Sequence, residues 1–170
     1  IMKIVKKLDA GPYMMQKSIS IKTSDNFLSL SKKLSQIGSS LILEALNTFE
    51  KNETNFVDQD NKLATYAKKI TKKEAKIDWN DAAQKLIAKI NGLNPYPGAW
   101  FMHKDTRIKI IEAELSNMQG NNGEILTKDL VVGCQNNSIK INLLQKEGKR
   151  VLDTKSFLDG YKIDKGELLI

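Results

Sequence analysis

Few residues in this chain have side chains suited to chemistry, and they are unevenly placed. Near the start, in "KKLDAGPY" (6–13), Asp9 stands beside a Gly-Pro pair. A carboxylate there has two readings: a turn residue, or a proton-handling group whose partners lie elsewhere. His103 is the only histidine and Cys134 the only cysteine. A single thiol excludes an internal disulfide and every zinc site that needs two or more thiolates from this chain, and it fits a reducing compartment. The densest group is Lys68, Lys69, Lys72, Lys73 and Lys76. Their spacing, 68/72/76 and 69/73, predicts one face of a helix, although like charges at i and i+4 repel by a few tenths of a kcal/mol per pair, roughly. Ammonium groups at this density suit phosphate contact; the bland alternative is a solvated face of a lysine-rich protein. Lysine is a point charge and arginine forks are scarce, so contact with a nucleic-acid backbone is expected rather than base reading.

The charge distribution supports an anionic partner. The chain has 170 residues and a net charge of +7. Residues 61–110 carry 11 Lys/Arg against 4 Asp/Glu, while residues 1–60 carry 8 against 7 and residues 111–170 carry 8 against 9. Local charge density is what phosphate neutralisation with counterion release requires. With 41% apolar residues the chain can bury a core. No apolar run approaches the roughly 18–20 residues needed to span a bilayer, and the start lacks a signal-peptide layout, so cytoplasm is the default expectation. The chain opens with Ile inside an apolar run, which raises the expectation of an upstream part.

The elements that must position these groups follow from periodicity. Residues 2–7 and 13–21 read as two strands joined by the Asp9 loop. Phe27, Leu30, Leu34, Ile37, Leu41, Ala45 and Phe49 predict a long amphipathic helix capped by Asp25. Residues 50–65 have no period and read as a connection, so a domain boundary is expected there. Asn80 reads as the cap of a second helix carrying Leu86, Ile87, Ile90 and Leu93, stopped at Gly92 and Asn94-Pro95. After Pro97, short strands are expected at 107–115, 123–126, 130–134, 138–145 and 149–152, with Gln135-Asn136-Asn137 as a hairpin turn and a last helix ending at Gly160. Several short strands in so few residues indicate a small barrel or sandwich, an architecture that often binds oligonucleotides.

Four segments, "KKLDAGPYMM" (6–15), "LATYAKKITKKEAKIDW" (63–79), "LNPYPGAWF" (93–101) and "GKRVLDTKSFLDGYKIDKGELL" (148–169), resemble methionyl-tRNA formyltransferases in order and approximate spacing. The resemblance covers the whole chain. "LDAG" alone is weak, whereas "IDW" followed by "NPYPGAW" is far more specific. It implies an α/β remnant, the end of a Rossmann-like formyltransferase domain (1–49), then a basic connector (50–78) and a small OB-like antiparallel β-barrel (79–170). It implies transfer of a formyl group from 10-formyltetrahydrofolate to the amino group of methionine on initiator tRNA, without a metal, by a cytoplasmic enzyme that is a monomer. Asp9 matches the catalytic aspartate, and Leu8 and Asp9 match the folate loop. The barrel and connector would hold the tRNA through Lys68, Lys69, Lys72, Lys73, Lys76, Lys149 and Arg150.

The chain departs from the family pattern in telling ways. It has no counterpart of the "NxH" motif that supplies the catalytic Asn and His, nor of the "SLLP" folate segment, so a truncated chain without activity of its own is expected. His103 follows "NPYPGAWFM" in the barrel region and reads as structural. Arg150 stands where Lys is usual, and Tyr96 where Trp is frequent. Trp79 and Trp100 read as core packing between helix and barrel, with base stacking as the alternative, and Tyr66 is equally open. Two rival readings remain: a sugar-nucleotide formyltransferase, which has no need of a dense lysine connector, and a non-catalytic RNA-binding module. Without an upstream half, the apolar face from Phe27 to Phe49 would be partly exposed, and a dimer could cover it.

Overall fold

The apolar residues spaced by three and four from Phe27 form α1 (Phe27–Glu50) in the computed structural model, which describes residues 1–170. Ala45 is the one buried residue of α1, while Leu34, Leu43, Leu46 and Phe49 are exposed. An amphipathic helix draws its stability from burying its apolar stripe, and here much of that stripe faces solvent. The chain divides into two compact units, one of residues 1–22 and 29–69, the other of residues 23–28 and 70–170. The connector expected at 50–78 is therefore shared between them.

In the first unit the strands expected at 2–7 and 13–21 do not form. Single bridges pair Tyr13 with Met2 and with Val57. A two-stranded ribbon is marginal in water without further strands or a covering layer, so both segments stay irregular. The side-chain amide of Gln59 donates to the carbonyls of Asp9 (3.0 Å) and Gly11 (2.7 Å). Gly11 is required by close approach, since a Cβ there would lie 1.8 Å from the Lys3 carbonyl oxygen.

The second unit begins with a segment whose period is two. Ala75, Ile77 and Trp79 are buried, and Lys76 and Asp78 between them are exposed. The helix expected over 68–76 is absent: residues 64–70 have no regular structure and residues 72–75 form turns. Burial of alternate apolar residues outweighs lysine spacing that, as a helix, would stack like charges. Next come α2 (Ala83–Leu93), β1 (Ala99–His103), β2 (Thr106–Ser116), β3 (Val131–Gly133), β4 (Ser138–Lys146), β5 (Val151–Asp153) and α3 (Thr154–Gly160). Asn80 is not the cap of α2. Its N–H and its side-chain amide both donate to Asp78 Oδ1, at 3.0 and 2.9 Å, and Ala82 takes the cap position without a side-chain bond.

All strand pairs are antiparallel, in the order β1-β2-β4-β3, with β5 also on β4. Register shifts between Ile110 and Ala113 mark a bulge in β2, which bends the sheet. Its concave side holds Phe101, Ile108, Ile110, Ile139, Ile141 and Leu144 in one core with Leu86 and Ile90 of α2. The result is a curled antiparallel half-barrel whose pairing path has two ends. The strand expected at 123–126 is reduced to bridges from Glu124 to Leu168 and from Ile125 to Val132. The hairpin turn between β3 and β4 forms where expected, with Asn137 at φ 63°. The C-terminal tail is stitched down by the Ile125 N–H on the Glu167 carbonyl, the Leu169 N–H on the Gly123 carbonyl and the Met102 N–H on the Ile170 carbonyl. No helix is long and apolar enough to cross a membrane.

Candidate nucleic-acid interface

The basic segment and the sheet meet at Trp100. The Ile77 N–H donates to the Trp100 carbonyl at 2.7 Å and the Trp100 N–H donates to the Ala75 carbonyl at 3.0 Å, so residues 75–77 extend the sheet beside β1. The Trp100 indole Nε1 donates to the Lys72 carbonyl at 2.8 Å, which fixes the lysine turn against the strand. Two cations lie over the ring: the Arg107 guanidinium carbon is 4.5 Å from its centroid and Lys76 Nζ is 6.0 Å away. Lys109 stands directly across from Trp100 in the β1–β2 ladder. Lys89 Nζ donates to the Lys76 carbonyl at 2.6 Å, and burial lowers the pKa of that ammonium. Cations over an indole face are attracted by its quadrupole, by about 0.5–1 kcal/mol at exposed sites.

Lys72, Lys73 and Lys76 are exposed at this edge. Lys149 and Arg150, also exposed, occupy the turn between β4 and β5. That turn is joined to the start of β2, because the Glu147 N–H donates to the Arg107 carbonyl at 3.2 Å and Glu147 Oε1 lies 3.7 Å from Arg107 Nη1. A continuous series of contacts thus runs from the lysine turn through Trp100 and Arg107 to the turn bearing Lys149 and Arg150. Lys68 and Lys69 are exposed too, within the first unit. A groove of about 600 Å³ beside this edge is lined by Lys73, Lys76, Trp79, Asn80, Asn122 and Ile170.

The two tryptophans differ. Trp79 is buried in the core, its ring 5.8 Å from that of Phe101 in a T-shaped contact, so base stacking is closed to it. Trp100 is only partly buried. His103 ends β1 and is buried, with Nε2 2.6 Å from Glu167 Oε2 and Nδ1 3.0 Å from the Tyr161 hydroxyl. It holds α3 and the C-terminal tail to the sheet. Cys134 is buried, and burial pushes its thiol up to about 11, which leaves it a neutral packing residue at ordinary pH.

Asp9 does not sit in the buried setting expected of a proton-handling group. It is exposed in a turn at φ 53°, and Leu8 beside it is 87% exposed. What fixes the loop is the Gln59 amide on the Asp9 and Gly11 carbonyls. Arg107, Lys109 and Glu147 escaped the sequence reading. For the two cations the one signal is the alternation in "RIKI" (107–110), which puts both opposite the buried Ile108 and Ile110; Glu147 has none.

The topology defines the class: a small curled antiparallel β domain with α2 and α3 packed on it and a cationic edge. Residues 69–162 match the family described as formyl transferase, C-terminal domain, and the chain belongs to that family. Its relatives include the methionyl-tRNA formyltransferase of Pelagibacter ubique, 46% identical over 98% of this chain and 54% of that protein. Those of Thermodesulfovibrio yellowstonii (38% identical, 94% and 52%) and Rickettsia bellii (34%, 95% and 53%) are similar. The chain spans about half the length of the curated relatives it matches. Among solved structures, HypX from Aquifex aeolicus in complex with tetrahydrofolic acid superposes with a TM-score of 0.73 at 17% identity, over 98% of this chain and 33% of that one. An N-formyltransferase from Helicobacter canadensis in complex with folinic acid and dTDP-3-aminofucose gives 0.63 at 18%, over 85% and 54%. Both likenesses are of fold.

Proposed function

We propose that this chain serves a methionyl-tRNA formyltransferase, which moves a formyl group from 10-formyltetrahydrofolate to the amino group of methionyl-initiator tRNA. Its own part is to dock the tRNA, with the half-barrel acting as an OB-like platform and Lys68, Lys69, Lys72, Lys73, Lys76, Lys149 and Arg150 meeting phosphates. The observation that carries this reading is the edge at Trp100, where exposed Lys72, Lys73 and Lys76 are fixed to the sheet by backbone and indole hydrogen bonds. Preorganised cations lose less freedom on binding a polyanion than a mobile lysine tail would. Support for tRNA over a sugar nucleotide comes from this lysine density and from the names of the relatives at 34–46% identity.

Folate supplies the formyl group when bound, and Leu8 contributes only one side of its loop. Asp9 is the one catalytic carboxylate this chain offers, to help move the proton released by the attacking amine, in concert with residues outside it. By itself the chain is a binding module and does not formylate methionyl-tRNA.

The test separates the two roles in the full-length protein. Asp9→Asn is expected to lower kcat at least about a hundredfold, the lower range for a lost general acid–base group, with tRNA affinity unchanged. The triple change Lys72→Gln, Lys73→Gln, Lys76→Gln is expected to raise KM for the tRNA and leave kcat within about twofold. Equal losses in both parameters for both variants would overturn the assignment.

A further inference from the structure

Arg107 and Glu147 form a pair whose geometry is better suited to exchange than to stability. We propose that Arg107 is a phosphate-binding fork for the RNA backbone and that Glu147 is its displaceable placeholder, occupying the anion position until a phosphodiester replaces it. The inference rests on the RNA-docking reading above.

Arg107 is prepared for such a contact. Its side chain is 21% exposed and its guanidinium lies on the Trp100 face, so its orientation is set before any ligand arrives. A guanidinium over an aromatic ring keeps terminal N–H donors that can meet a phosphate as a fork, which suits a phosphate better than a lysine does. Its Nε is buried without a hydrogen-bond partner, which leaves the terminal nitrogens to do the binding. Lys76 lies over the same ring and Lys109 stands across the ladder from Trp100, which adds positive charge to the surroundings of Arg107.

Glu147 holds that place loosely. Its carboxylate oxygen is 3.7 Å from Arg107 Nη1, beyond hydrogen-bond reach, and the side chain is 71% exposed on the β4–β5 turn. Exposed pairs of this kind contribute little and are screened by salt. The turn itself is kept in place by the Glu147 N–H on the Arg107 carbonyl, so the carboxylate can swing away without moving the backbone. Displacement leaves Glu147 in water and gives Arg107 a charge-assisted partner at shorter range. The same carboxylate also repels RNA phosphates, so it sets a threshold for binding.

The test measures affinity of the 170-residue chain for unacylated initiator tRNA at about 50 and 200 mM salt, a range over which phosphate contacts change affinity strongly. Glu147→Gln is expected to tighten binding severalfold. Arg107→Gln is expected to weaken it about tenfold and to lower the salt slope by about 1. In the Arg107→Gln background, Glu147→Gln should give a clearly smaller gain, because once the pair is broken only the direct repulsion of phosphates remains. An identical gain from Glu147→Gln in both backgrounds would reduce it to a general charge effect and overturn the proposal. Should Arg107→Gln not fold, Glu147→Gln alone decides: unchanged or weaker binding overturns it. If the wild-type chain binds tRNA without salt dependence, the docking reading itself fails. If binding is salt-dependent and needs the three lysines but shows no Arg107–Glu147 coupling, only the placeholder fails.

Discussion

Glu167 joins three parts of the C-terminal unit through one carboxylate. Oε2 meets His103 Nε2 at 2.6 Å and Lys104 Nζ at 3.6 Å, and Oε1 accepts the Asp164 N–H at 3.2 Å. The hydrogen bond from His103 is the chief reason its carboxyl stays below the ordinary value of 4.5. A carboxyl whose pKa is depressed by folding contributes stability that is fully present above its unfolded value and is lost as the pH falls through the folded one. The C-terminal tail should therefore loosen on the acid side of about pH 4.5, the unfolded carboxylate range. Thermal unfolding followed from neutral pH downward should show a steeper acid loss for the wild type than for Glu167→Gln, which has no proton to gain there. Parallel curves would mean that the network does not couple to stability. The lone histidine belongs to the architecture, because both of its ring nitrogens already have partners.

Among the elements, the segment from Ala75 to Trp79 decides how the basic residues are presented. Ile77 is buried and donates its N–H to the Trp100 carbonyl. Ile77→Ala should cost about 2–5 kcal/mol, the range for truncating a buried aliphatic side chain, while Lys76→Ala should stay within about 0.5 kcal/mol. Denaturant unfolding checks both, and equal effects would contradict the edge-strand description. This segment also shows where sequence reading succeeded and failed. The helices from Phe27 and from Ala83, and the strands around Ile108 and Ile139, were legible because their apolar periods run long enough to exclude alternatives. The lysines at 68–76 mimicked a helical face, whereas the deciding pattern was the shorter alternation Ala75, Ile77, Trp79. β1 was missed because "AWFMH" (99–103) shows no alternation of residue type; only burial alternates along it. The strands expected at 2–7 and 13–21 have strand-like composition, but pairing needs neighbours that composition does not supply. Among the candidate site residues, lysines could be named from density alone. Arg107 and Glu147 could not, since they are forty residues apart in the chain and are brought together only by the β4–β5 turn.

For the molecule as a whole, the excess positive charge of residues 61–110 becomes a located feature. Much of it gathers where the extended segment at 75–77 joins β1, around Trp100, and the contacts continue through Arg107 to the β4–β5 turn. A half-barrel of this kind supplies rigidity, and the connector and turns supply charge, so under the proposed docking role affinity should follow ionic strength more than tRNA sequence. The central claim is that these lysines meet RNA phosphates. It is tested most directly by the salt dependence of initiator-tRNA binding, measured for the wild-type chain and for the Lys72→Gln, Lys73→Gln, Lys76→Gln variant. The wild type should lose affinity steeply as salt rises, and the variant should bind more weakly with a log–log slope shallower by about 2–3, close to 0.9 for each phosphate contact removed. A variant with wild-type affinity and an unchanged slope would contradict the account.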